Sequence, residues 1–227
     1  LINQLSSKET TISPDQIQGI FEKVAERSRY LLTENSYDDL LAKGLELLPR
    51  FWEHTSLDLN EKSRAELPLK AFLDSTIPLV GKLDRLDYLD NKHIRIVDYK
   101  SSRKTAKLQP AKADNYGGIY WFQMLFYQVL AEESDYLKFS ALELQVQYLE
   151  DKNSGSVIGF DTDILQFTLE ETEWMRQLIR DSYTSILNDD FTSKCDNASC
   201  KWCGFKMETM EESNIFESEF KDSFDES

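Results

Sequence analysis

Residues 81–100, GKLDRLDYLDNKHIRIVDYK, put two carboxylates and a lysine on adjoining strand-forming runs, a combination that few purely structural strands carry. The runs 79–89 and 94–100 are rich in strand formers and are separated by Asp90-Asn91-Lys92-His93, which predicts a β-hairpin. Strand side chains alternate with period two, so Ile96, Asp98 and Lys100 share one face of the second arm. Asp84 shares a face of the first arm with Val80, Lys82, Leu86 and Tyr88. Whether the two aspartates meet depends on the turn. A three-residue loop, 90–92, closed by Leu89 and His93, sets Asp84 opposite Asp98, whereas a four-residue loop separates them onto opposite faces unless a bulge intervenes.

Directly opposed residues have Cβ atoms about 5 Å apart, where two carboxylates repel by ~3 kcal/mol at an effective dielectric of about 20. A positive group must offset this. Lys100 supplies part of it, and a divalent cation held by oxygen ligands would supply more. The bland alternative is an ordinary Asp98–Lys100 strand salt bridge with Asp84 as a turn-proximal surface acid.

At 227 residues the chain is long enough for one substantial core with a helical appendage. No run approaches the roughly 18 apolar residues of a membrane span, and no secretory signal pattern opens the chain. It begins at Leu1 rather than Met, which reads as a piece of a longer polypeptide. The formal net charge of -15 argues against a protein that coats DNA through bulk positive charge. The acid is concentrated at the end, where eight carboxylates from Glu208 onward face Lys221 alone. By contrast, residues 99–113 hold Lys100, Arg103, Lys104, Lys107 and Lys112 with no acid. That basic strip leaves the hairpin where an anionic substrate would arrive, although charge runs are commonly no more than solvated loops.

Three segments organise the chain: a helical segment over 1–60, a core with a cysteine-containing end over 61–206, and an acidic tail over 207–227. In the first, Ser13-Pro14-Asp15 signals a helix start, followed by Ile17, Ile20, Phe21 and Val24 at helical spacing. A second helix is predicted over 37–52, and His54 beyond it reads as a surface histidine rather than a ligand. A strand over 66–72 precedes the hairpin, and its Glu66 reads as exposed although it could reach the acids. Residues 119–131, IYWFQMLFYQVLA, are apolar almost all round and predict a buried helix. Gln123 stands out there because buried polar groups need partners, and Tyr127 lies one turn later on the same face. Further strands are predicted over 140–149 and 157–160, and a helix over 169–187. The order implies an α/β fold, a mixed central β-sheet flanked by helices.

GKLDRLD, then VDYK, then a helix carrying Gln-x-x-x-Tyr at Gln123 and Tyr127 together resemble the RecB-like branch of the PD-(D/E)XK nuclease superfamily, over about residues 66–203. The likeness is strongest to nuclease domains at the C-terminus of bacterial UvrD/AddA-type helicase-nucleases. It implies a restriction-endonuclease-like core and metal-dependent hydrolysis of DNA phosphodiester bonds, in partnership with helicase domains in a cytoplasmic repair or recombination machine. Asp84, Asp98 and the backbone carbonyl of Tyr99 would ligate Mg²⁺ or Mn²⁺. Lys100 would orient and help deprotonate the attacking water while stabilising charge on the phosphate. Gln123 and Tyr127 would brace the site, and the strip with Arg103, Lys104 and Lys107 would meet DNA. Arg85 points to the other strand face, so its expected role is structural or indirect.

The sequence departs from the family pattern twice. No upstream His or Glu matches the usual additional metal ligand, which is therefore expected before Leu1. Relatives often hold a [4Fe-4S] cluster, but Cys195, Cys200 and Cys203 are the only cysteines and their spacing differs. Thiolate clusters and structural zinc sites usually need four ligands, so the residues argue against a cluster in this fragment and favour a compact reduced turn. In the tail, Phe216, Phe220 and Phe224 recur every fourth residue, a spacing suited to a short helix on a partner. The reading from a different class is a catalytically silent copy of the fold that binds DNA or scaffolds a helicase complex.

Overall fold

The computed structural model describes residues 13–56, 59, 62–104, 118–150 and 161–190. Two compact units divide the chain, 1–179 and 180–227. Lys107, Cys195, Cys200, Cys203, the tail and the strand expected over 157–160 lie outside the described residues.

Five strands form one sheet in chain order: β1 (Arg64–Leu73), β2 (Ile77–Tyr88), β3 (His93–Arg103), β4 (Ala141–Glu150) and β5 (Thr162–Leu165). All neighbours are antiparallel except β3 and β4, which are parallel. A parallel pair needs a crossover, and α3 (Ile119–Glu132) provides it. The fold is therefore α/β with a mixed sheet, as the element order implies.

Local chemistry sets the helix starts. Ser13 caps α1 (Pro14–Ser28) in a reciprocal capping box with Gln16, and proline occupies the first turn. Thr33 caps α2 (Glu34–Thr55) by accepting from the Ser36 amide. Thr168 and Glu171 exchange bonds at the head of α4 (Leu169–Leu187). His54, expected at the surface, is partly buried near the end of α2.

The sheet is covered differently on its two faces. Toward α3, Leu86, Ile94, Ile96, Leu144 and Val146 are buried, as are the helix residues Trp121, Met124, Leu125 and Leu130. Trp174 of α4 adds ring contacts to Trp121 and Phe122, and Arg176 bonds Glu132 and Glu133 at the end of α3. Toward α2 the sheet is polar. Arg85 and Asp87 are fully buried, Arg85 Nε donates to Asp87 Oδ2 at 2.9 Å, and Ser63 Oγ donates to Asp87 Oδ1 at 2.7 Å. Tyr99 meets Phe51 of α2 edge to face at 5.0 Å.

Gly81 and Arg85 have the same parity on β2, yet they face different helices. A Cβ at Gly81 would lie 2.6 Å from Leu130 Cδ2 of α3, whereas Arg85 reaches Tyr99 on the α2 side. Strict alternation therefore breaks between them. The break lies beside Glu66, whose φ of 55° is left-handed and whose position has no ladder partner between Ala65↔Arg85 and Leu67↔Leu83.

Truncating Leu125, a fully buried residue of α3, leaves a cavity in the core. Leu125→Ala is expected to lower the unfolding free energy by about 2–5 kcal/mol, read from urea denaturation midpoints at constant slope.

Candidate active site

The β2–β3 hairpin turns through Asp90-Asn91-Lys92, whose backbone is held by Asp90 Oδ1 accepting from the Lys92 and His93 amides at 2.7 and 2.8 Å. Leu89 N–H donates to His93 O across the closing pair. This is the three-residue loop, and the ladder runs from Tyr88↔Ile94 to Arg85↔Val97 in the matching register. Continued by one pair, it brings Asp84 opposite Asp98. The ladder stops there, and Asp84 Oδ2 instead accepts from the Tyr99 amide at 2.9 Å.

Asp98 and Lys100 project toward α3. The Asp98 side chain is 2% exposed and its Oδ2 lies 2.5 Å from Lys100 Nζ, whose side chain is 15% exposed. That is a charge contact without hydrogen-bond alignment, since Oδ2 is buried with no directed donor. Gln123 completes the group: its Oε1 accepts from Lys100 Nζ at 2.8 Å, and its Nε2 donates to Asp98 Oδ1 and to Tyr127 Oη, each at 3.0 Å. Only one amide orientation satisfies both partners, because an ammonium can only donate and a carboxylate only accept. Tyr127 Oη in turn donates to the Lys82 carbonyl at 3.0 Å, tying α3 back to β2. The absent side chain at Gly81 is what lets the helix come this close.

The acid pair is not the ordinary surface arrangement. Burial raises the Asp98 carboxyl above the usual aspartate value, and Asp84 adds to the rise, against the lowering effect of Lys100. Burial also raises the Tyr127 hydroxyl. Glu66 is mostly exposed and pairs with Lys82 rather than joining Asp84 and Asp98.

Beyond Lys100 lies an aromatic and acidic extension that the sequence reading did not assign. Lys100 Nζ sits 4.5 Å over the Tyr120 ring, and Tyr120 lies 6.4 Å from Tyr148, whose hydroxyl burial pushes up to about 12. Tyr120 precedes Gln123 by three residues, the helical spacing that could have revealed it. Asp163 of β5 pairs with Lys104, so this cation of the basic strip has an internal partner. The backbone of Arg103 closes β3, paired with Glu150.

Among the described residues, no three His, Cys, Asp or Glu side chains converge as a complete ion-binding group. The two carboxylates nonetheless suit a hard cation. Asp98 Oδ2 is a buried oxygen without a directed donor, and Mg²⁺ is commonly held by one or two carboxylates with water completing the shell. No described helix is long and apolar enough to cross a membrane.

The profile of the PD-(D/E)XK nuclease superfamily matches residues 3–207 of the chain. Among solved structures, a protein from Eubacterium rectale named as a candidate exonuclease is similar at 15% identity, covering 87% of this chain and 76% of that one, with a TM-score of 0.49. The protein SSO0001 is similar at 14% identity, covering 91% and 90%, with a TM-score of 0.39. No match was found among curated proteins.

The raised Asp98 value has a consequence for stability. The folded protein holds this proton to higher pH than the unfolded chain, so stability falls as pH rises from the unfolded value through the folded one. Asp98→Asn removes that contribution. Its unfolding free energy relative to wild type is expected to shift in favour of the variant from about pH 3.5 to about pH 7, measured in urea without metal. A flat difference, or a shift toward wild type, would refute the burial effect.

Proposed function

Because the chain belongs to the PD-(D/E)XK nuclease superfamily, whose members typically use a divalent metal on nucleic acid, we propose that it is a Mg²⁺- or Mn²⁺-dependent deoxyribonuclease. The observation that carries this reading is the joining of buried Asp98 with the partly buried Lys100 and Gln123 into one bonded group beside Asp84. A plain strand salt bridge needs no amide to orient both partners, and burying it costs desolvation that a surface pair avoids.

Asp84 and Asp98, with the Tyr99 carbonyl, would hold the cation. When bound, it supplies charge neutralisation at the scissile phosphate and acidifies a water. Lys100 donates to a phosphoryl oxygen and orients the attacking water, its ammonium held in place by Gln123 and the Tyr120 face. Gln123 keeps the Asp98 carboxylate turned, with Oδ1 bonded to the amide and Oδ2 against the Lys100 ammonium, which a cation would displace. Tyr127 fixes Gln123 against β2. Arg103, Lys104 and Lys107 would meet the DNA backbone, Lys104 by exchanging Asp163 for phosphate. The strands would be delivered by attached or associated helicase domains.

One observation favours a second reading: the described residues contain no third carboxylate or histidine with Asp84 and Asp98. A silent DNA-binding copy of the fold needs none.

Mn²⁺-dependent cleavage of end-labelled single-stranded DNA separates the two. The wild-type chain is expected to cleave, EDTA to abolish cleavage, and Lys100→Ala to lower the rate by about 10²–10⁴-fold. Equal cleavage by Lys100→Ala would remove the lysine from the chemistry. No cleavage by either would favour the silent module.

A further inference from the structure

We infer that Tyr99, held from behind by Arg85 and Phe51, is a positioning residue for the two site carboxylates and sets metal affinity without its side chain touching the metal. The inference rests on the metal-dependent reading above.

Its basis is where the hairpin ladder ends. Beyond Arg85↔Val97 no ladder pair joins β2 to β3, so the strands carrying Asp84 and Asp98 need another tie. Two ties exist there, and both run to Tyr99. On the site face its amide donates to Asp84 Oδ2 at 2.9 Å, the sole donor to that carboxylate among the described residues. On the opposite face its hydroxyl accepts from Arg85 Nη1 at 2.6 Å. The Tyr99 backbone lies between Asp98 and Lys100, so a rotation of this residue would move all three site groups together.

The groups behind Tyr99 are costly to bury, which argues against filler. Arg85 and Asp87 are both fully buried, and a well-packed apolar pair of similar volume is commonly no less stable than a buried ion pair. What the guanidinium offers is its fork. Nε donates to Asp87 Oδ2 at 2.9 Å, Nη2 lies 2.8 Å from the same oxygen as a charge contact, and Nη1 donates to Tyr99, a division that a lysine cannot reproduce. Asp87 is itself fixed by Ser63. Phe51 closes the other side of the ring with its edge-to-face contact. Partners of this kind, one step behind the ligands, typically alter metal affinity by about 10–100-fold when removed.

The test is Mn²⁺ binding followed by EPR, alongside urea denaturation, on wild type, Tyr99→Phe and Phe51→Leu. Arg176→Gln serves as a stability control, because it breaks ion pairs to Glu132 and Glu133 away from the carboxylates. Tyr99→Phe is expected to weaken Mn²⁺ binding about 10-fold under conditions where it remains folded, Phe51→Leu to weaken it in the same direction, and Arg176→Gln to lose stability while binding as wild type does. Binding within about twofold of wild type in both ring variants would overturn the inference and leave the metal reading standing. So would an equal loss of binding in Arg176→Gln at a matched urea midpoint, since that would make the effect one of general stability. Failure of wild type itself to bind Mn²⁺ would overturn the metal reading and this inference with it.

Discussion

Asp98 is a carboxylate almost out of reach of solvent, and much of the site's architecture follows from keeping it there. A lone buried carboxylate would take up a proton or stay unfolded, so a cation has to stand beside it. Lys100, two residues along the same strand face, is the nearest available one, and a flexible ammonium needs its own restraint. Gln123 provides that restraint by bonding both partners, which obliges α3 to lie directly across β2 and β3. Gly81 then becomes a requirement of helix approach, and Tyr127 closes the loop to the β2 backbone.

The placement of the site at the end of a hydrogen-bonded ladder has a physical logic. Within a ladder the backbone groups are spent on one another, and opposed carboxylates simply repel. Where β2 leaves β3, the Tyr99 amide is released to orient Asp84. The left-handed Glu66 on β1 marks the same level of the sheet, so the irregularity of one strand accompanies the opening between the next two. Local backbone strain of this kind persists only where surrounding structure holds it. Here Lys82 pairs with Glu66 and its carbonyl is bonded by Tyr127.

The two faces of the sheet divide the work. One carries an apolar core with the Asp98–Lys100–Gln123 group set into its edge, and the other carries ion pairs and amides beneath α2. Arg95 continues that second network to Glu143 at 2.6 Å, and Gln145 and Gln147 extend it along β4. Polar residues at alternate positions of β4 would ordinarily read as a solvated face. Gln145 and Gln147 are buried instead, because α2 covers a side of the sheet that the strand pattern marks as exposed.

What could be read without the fold was whatever depends on neighbours in the chain. Period-two alternation put Asp98 and Lys100 on one face and helical spacing aligned Gln123 with Tyr127, while the turn at 90–92 left two registers open until the ladder chose the three-residue loop. Those are local consequences of backbone geometry, and they suffice to expect an acid pair, a lysine and an amide near one another. Other features depend on residues far apart in sequence. Only the tertiary structure decided that Gln123 bridges Asp98 and Lys100, that Lys104 is engaged by Asp163, and that Arg85 turns inward to Tyr99. The fifth strand, Thr162–Leu165, also escaped the pattern, since four residues at a sheet edge carry too little periodicity to announce themselves. Alternation failed as a guide between Gly81 and Arg85 for a related reason. A single left-handed residue on the neighbouring strand accompanies a change in what each position faces, and glutamate has no local preference that announces such a φ.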